Sequence, residues 1–279
     1  MKTFNILSCL LAVVVMGFSA CDKKEEPTTY GTMDLTFDNR VGEDEVQLVS
    51  DSDTAFVYTN AMGQVFNLTK LGYYISRVEL KTTDGKVYAD EVTTGPMDED
   101  VKGFYHVQED KINTQIVTIA NVPSGQYNEV TFTLGVEAEY VQQGATGGVL
   151  DPANGGWLWN WDAGYIGWAM EGRSPSSPKA AGPNNADNSV KLHIGGWKDI
   201  AGNSMMVNNV KRITLTFPSS VEVADDLSPR AHIHMDVLKA IDGHHMMDFS
   251  TTNGVHNPAA GVDVAHNLEG AFEVHHVHQ

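Results

Sequence analysis

Polar and apolar positions alternate along most of this chain. Thr32-Met33-Asp34-Leu35-Thr36-Phe37 changes character at every residue, which is the two-residue period of a strand with one buried face. The same period predicts strands over Gln64 to Thr69, Tyr73 to Leu80, Gln115 to Ala120, Glu129 to Val136, Arg212 to Phe217, Ala231 to Val237 and Ala271 to Val277. Turn chemistry separates them at Asp84-Gly85, Pro123-Ser124-Gly125 and Pro218-Ser219-Ser220. Helical periodicity is confined to Val237 to Ile241 and a stretch near Trp157 to Met170. The expected fold is all-β, an antiparallel β-sandwich of Ig-like or Greek-key type with few short helices. Gln142 to Asn188 interrupts the pattern. It is rich in Gly, Pro, Asn and Ser, yet holds Trp157, Trp159, Trp161, Tyr165 and Trp168, so it reads as an inserted packed lid or as a binding surface.

The first residues follow other rules. Ile6 to Val15 is an apolar run behind Lys2, too short to span a bilayer. Gly17-Phe18-Ser19-Ala20 then lead into Cys21, which resembles a bacterial lipobox. Residues 1–20 are therefore expected to be a signal peptide, with Cys21 lipidated and residues 21–29 a flexible tether. Lys24-Glu25-Glu26 after the cysteine resembles the export signal of surface lipoproteins in Bacteroidetes. The expected location is the outer membrane, on its periplasmic or its external face. Cys9 leaves with the leader and Cys21 is acylated, so the body from residue 30 to 279 has neither disulfide nor thiolate.

Charge removes several functions. With 18 Lys+Arg against 36 Asp+Glu the formal net charge is −18, which excludes a nucleic-acid partner because phosphate backbones are held by clustered cations. No GxSxG, HExxH, phosphate-binding loop or dinucleotide glycine motif is present, and binding rather than enzymatic turnover is expected. Asp51-Ser52-Asp53 and Asp98-Glu99-Asp100 lack the closing Glu of a calcium loop and read as solvated turns.

The 11 histidines change the picture. On a strand, His232 and His234 project from one face about 6.5 Å apart, a spacing from which two imidazoles can reach one ion. Asp236 continues that face, and His193 in Leu192-His193-Ile194-Gly195-Gly196 is a third candidate nitrogen from a neighbouring strand. Three imidazoles without thiolate suit copper or zinc rather than magnesium or calcium. Seven histidines lie at or beyond His244, and His256, His266, His276 and His278 are candidates for a second metal site. His276 and His278 are expected on one strand face with His275 opposite. His244-His245-Met246-Met247 adds soft thioethers, which favour copper. His106, alone in Phe104-Tyr105-His106-Val107, reads as structural.

Several phrases, in one order, resemble the MbnP-like family of copper-binding proteins. They are Leu71-Gly72-Tyr73-Tyr74-Ile75-Ser76, Val78-Glu79-Leu80, Leu134-Gly135-Val136, Leu150-Asp151-Pro152, Trp159-Asn160-Trp161-Asp162-Ala163-Gly164-Tyr165-Ile166, Glu171-Gly172 and Leu192-His193-Ile194-Gly195-Gly196. The resemblance covers about Tyr30 to Asp242, leaving a His-rich segment over 243–279. It departs from the family at Gly156-Trp157-Leu158, where Gly-Met-aromatic is usual. It implies copper held by histidines and a tryptophan open to oxidation, Trp159 or Trp161, by a MauG-like di-haem enzyme. The resulting expectation is a lipid-anchored envelope protein for copper acquisition, storage or delivery. The alternative is a carbohydrate-binding surface lipoprotein that stacks sugars on Trp157, Trp159, Trp161 and Tyr165.

Overall fold

Met33, Leu35 and Phe37 are fully buried and project inward from the first strand, as their alternation requires. The structure, a computed structural model, describes residues 28–141, 144, 146–197 and 207–279. The signal peptide, Cys21 and nearly all of the tether lie outside the described residues. In chain order the strands are β1 (Tyr30–Val41), β2 (Asp44–Glu45), β3 (Tyr58–Thr59), β4 (Val65–Thr82), β5 (Val87–Ala89), β6 (Phe104–Gln108), β7 (Ile116–Pro123) and β8 (Gly125–Leu134). They continue as β9 (Leu158–Asn160), β10 (Gly164–Arg173), β11 (Ser189–Gly195), β12 (Lys211–Val223), β13 (Arg230–Asp236), β14 (Gly254–Val255) and β15 (Phe272–His278). The short α-helices are α1 (Ala138–Val141), α2 (Val237–Ile241) and α3 (Val262–Leu268). Among the described residues no helix is long and apolar enough to cross a membrane.

The strands form two sheets, as the alternation predicts for a sandwich. The smaller runs β15-β13-β1-β2, with β7 also on β1. The larger runs β12-β8-β4-β10-β11-β14 and carries β3, β5, β6 and β9 at its margins. Pairing is antiparallel except at β1/β13 and β11/β14, which are parallel, so the sheets are mixed. Four rings knit the two layers edge to face: Phe37 of β1 meets Tyr73 of β4 at 5.8 Å and Phe132 of β8 at 5.9 Å. Phe272 of β15 meets the same two rings, each at 5.5 Å. Edge-to-face geometry places positive ring edges on negative faces and adds to the apolar burial of each ring.

The Trp-rich segment is not the helix its apolar run predicts. Residues 158–160 and 164–173 form β9 and β10, and β10 lies between β4 and β11. A central strand covered on both faces has no two-residue alternation, and its apolar run then looks like a buried helix. Gly172 marks the strand instead: a Cβ there would lie 2.0 Å from the Asn67 carbonyl oxygen of β4. Pro218-Ser219-Ser220 likewise does not end its strand. It forms an irregularity within β12, where the register against β8 shifts between Thr216 and Val221. Leu150 and Tyr165 of the segment are buried together with Trp197, Tyr74 and Phe104 in a second apolar cluster. The Tyr165 hydroxyl donates to the Leu150 carbonyl at 2.8 Å, so this ring is unavailable to a surface stacking platform.

His106 of β6 sits beside this second core. It is buried, stacked on Tyr74 at 4.2 Å and edge-on to Trp157 at 4.3 Å, with Nε2 buried and without a hydrogen-bond partner. Burial, followed by the positive charges of Lys111 and Lys70, pushes its pKa down to about 3. The unfolded chain would take up a proton near pH 6.5 that the native protein refuses, so stability falls as pH drops from 6.5 towards 3. His106→Phe keeps the stack without the titrating group. Between pH 7 and pH 4.5 the metal-free variant is expected to lose about 2 kcal/mol less stability than wild type in urea unfolding. Equal losses would show that His106 is not held neutral.

Candidate metal centre

β13 buries Ala231, Ile233 and Met235 completely and turns His232, His234 and Asp236 outward. The predicted sharing of one face by His232 and His234 is therefore observed. The strand lies between β1, which runs parallel to it, and β15, which runs antiparallel, so both neighbours add side chains to the same outer surface.

β15 contributes more than simple alternation allows. His276 pairs with His232, but Val274 pairs with Ile233, so the register shifts and His275 is an extra residue. Such a bulge places two successive residues opposite one and re-aims their side chains. His275 is consequently not opposite to His276, as alternation predicts. It stacks on His234 at 4.3 Å with the rings 13° apart, while His276 stacks on His232 at 4.3 Å and 10°. His278 meets His232 edge-on at 5.3 Å. The result is a strip of five imidazoles on the outer face of the smaller sheet.

Within the strip, His232, His276 and His278 have donor nitrogens all within 4.8 Å of one another. His276 Nε2 and His278 Nε2 are 3.0 Å apart, within hydrogen-bonding distance. The His232 Nδ1–H donates to Asp38 Oδ2 of β1 at 2.7 Å, which leaves Nε2 as the free lone pair. A carboxylate on the far nitrogen fixes both tautomer and orientation of a metal-binding imidazole. All three rings are at least partly exposed, so contraction onto an ion with bonds of about 2.0–2.1 Å needs side-chain rotation alone. The donor set fits copper or zinc: three imidazoles, no thiolate, and a carboxylate oriented towards the ring rather than the ion.

The surroundings favour cations. His275, His276 and His234 border an open cleft of about 840 Å³ that also exposes Asp38, Glu43, Glu45, Glu109, Asp236 and Glu273, a concentration of negative charge that raises the local cation concentration. Burial and the neighbouring imidazoles of His232, His278 and His275 push the pKa of His276 down, against the pull of Asp38. Burial, then His275 and Arg40, does the same to His234. Both shifts keep the rings neutral, the state that ligates. Asp236 is occupied otherwise, accepting from the Gly42 and Leu238 amides at 2.9 Å each and capping α2.

The other predicted ligands lie elsewhere. His193 does not join His232 and His234, because β11 belongs to the larger sheet. Its Nε2 is 3.0 Å from Glu171 Oε1 and its Nδ1 is 3.3 Å from His256 Nδ1. Burial would raise the Glu171 carboxyl, but hydrogen bonds from His193 and Lys191 outweigh it and hold the pKa at about 2. Lys191 at 3.0 Å and Lys70 at 3.6 Å compensate this carboxylate, so the pair reads as an ion-pair network. His256, His266, His276 and His278, grouped by the sequence as one second site, are divided among three places. His266 stands with His244 and His245 in a separate trio. Among the described residues the tryptophan ring meeting a histidine is Trp157, against His106; Trp159 is half-buried on β9 and Trp161 is exposed.

The profile described as MbnP matches residues 30–257, most of the chain. The chain belongs to the MbnP family. Among solved structures, MbnP from Methylosinus trichosporium is similar with 14% sequence identity and a TM-score of 0.45, over 79% of this chain and 80% of that one. No curated protein matches. The MbnP match ends before His266, His275, His276 and His278. Both imidazole trios therefore draw ligands from a segment that lies beyond the family region.

Proposed function

We propose that this MbnP-family protein binds copper through His232, His276 and His278, and that it serves copper acquisition, storage or delivery rather than turnover. The observation carrying this reading is the convergence of three imidazole nitrogens within 4.8 Å, one of them oriented by Asp38. Membership of a family with a copper-related function supports the choice of ion. When bound, copper would be held by exchangeable N-donor bonds. The residues of the chain present neutral imidazoles, orient one through Asp38, and gather cations in the acid-lined cleft. Protons compete with the ion for these nitrogens, so affinity falls as pH drops through the histidine range.

The apolar run Ile6 to Val15 and the sequence Gly17 to Cys21 support placement in the envelope on a lipid at Cys21, in the outer membrane. The family resemblance supports a MauG-like di-haem enzyme as partner, acting on a tryptophan of the 157–161 stretch. The copper reading is tested by loading the mature protein with excess Cu(II), desalting it, and measuring retained metal at pH 7.5 and pH 5. Retention at pH 7.5 with nitrogen hyperfine coupling in the EPR spectrum, and release at pH 5, is the expected result. Protein that emerges without copper at pH 7.5 would refute it.

A further inference from the structure

The second trio shares no residue with the first. α3 presents Asp263 and His266 three residues apart, a spacing that puts both on one side of the helix. The loop after α2 carries His244 and His245 towards it. His245 Nε2 lies 3.1 Å from His266 Nδ1, and the rings of His244 and His266 are 5.1 Å apart. Asp263 Oδ1 stands 3.6 Å from His245 Nδ1.

This loop is held in place from several directions. Asn267 is buried and ties the loop to α2: Oδ1 accepts from the His245 N–H at 2.8 Å, and Nδ2 donates to the His245 carbonyl at 2.6 Å and to the Ala240 carbonyl of α2 at 3.0 Å. A bridge between Asp242 and Met246 closes the loop. The Met247 amide then donates to the Ile241 carbonyl at 2.8 Å, and Met247 and Phe249 are buried just beyond. Gly243 permits the approach, since a Cβ there would lie 2.6 Å from the Lys239 carbonyl and 2.9 Å from the Asn267 amide carbon. The backbone beneath His244 and His245 is thus fixed, whereas the rings themselves project at the surface.

We infer that His244, His245 and His266 form a second, independent site for a borderline divalent transition-metal ion such as Zn2+ or Cu2+. Three nitrogen donors within 4.8 Å of one another on a preset backbone require little reorganisation on binding. Imidazole donors without thiolate select this class of ion over magnesium and calcium. Asp263, 3.6 Å from His245 Nδ1, adds a negative charge beside the three rings. Rings that merely decorated the surface would need no buried asparagine spending two of its three hydrogen bonds on the loop beneath them. The inference does not rest on copper binding at the first trio.

The test uses the full mature protein and Zn2+ alone, followed by calorimetry and by the ligand-field bands of Co2+ as a substitute. In a His232→Ala/His276→Ala background, one equivalent of Zn2+ is expected to bind. Adding His244→Ala/His266→Ala should weaken that binding at least 100-fold and abolish the Co2+ bands. Far-UV circular dichroism and urea midpoints should not change, since the rings are at the surface. Asn267→Asp keeps the shape but removes the donating amide, and is expected to weaken the same equivalent about tenfold. The inference is overturned if the first background binds no Zn2+, or if the second pair of substitutions leaves the stoichiometry unchanged. Copper retention that His232→Ala/His276→Ala leaves unchanged, with this Zn2+ equivalent intact, would count against the first trio alone.

Discussion

His276→Ala/His278→Ala is expected to weaken Cu(II) binding at the first trio by more than 100-fold while changing stability by less than about 1 kcal/mol. Outer-layer partners of a metal ligand are already worth 10–100-fold, and here two of three first-layer ligands are removed. Both rings stand outward on β15, where substitutions away from the core have small effects on folding. The site also joins two strands, since His232 lies on β13 and the other two on β15. At a copper concentration a hundredfold above Kd the first trio should therefore contribute about 2.7 kcal/mol to the stability of the wild type and nearly nothing to that of the variant. Competition against a chromophoric chelator and urea unfolding with and without copper measure both quantities. If affinity survives intact, copper is bound elsewhere, and the His244–His245–His266 trio becomes the next place to probe.

Phe272→Ala should cost about 3–5 kcal/mol, the usual penalty for deleting a buried aromatic ring. Phe272 is buried and touches Tyr73 and Phe132 of the opposite sheet, so its removal opens the centre of the sandwich. It is also the inward anchor of β15, because Val274 and Val277 are only half-buried. Detaching the start of this strand displaces His275, His276 and His278 together. A lower unfolding temperature, by about 10 °C for a domain of this size, should therefore accompany faster amide exchange in β15 and weaker copper binding. A loss below 1 kcal/mol would mean that the strand is held by something other than this ring.

How much of this was readable in advance depended on whether the information was local. β1, β7, β8, β13 and β15 each bury one face, and their alternation marks all five, β13 and β15 within one residue and the other three with an end off by three or four. α2 was equally plain, beginning after the capping residue Asp236. β10 was not, because a strand covered on both sides loses its period. The outward direction of His232 and His234 follows from period two, but period shows a face and not which sheet owns it, so His193 was grouped with residues of the other layer. The bulge has no marker in sequence either. The consecutive His275 and His276 look like one ring in and one ring out, and pairing with β13 decides otherwise. His266 was noticed, yet its partners His244 and His245 depend on how α3 folds back over the loop after α2, a tertiary matter.

The parallel pairing of β1 with β13 has a consequence for reach. Arg230 lies beside Asp34 on one side and His278 on the other, so the histidine-bearing end of β15 is two strands away from the start of β1. If a lipid holds the chain at Cys21, as proposed, the nine residues from there to Tyr30 span only about 30 Å at full extension. The imidazole strip would then hover near the bilayer from which the chain emerges, within range of metal released at that membrane. Lengthening the tether would move the whole binding surface outward without altering a single ligand.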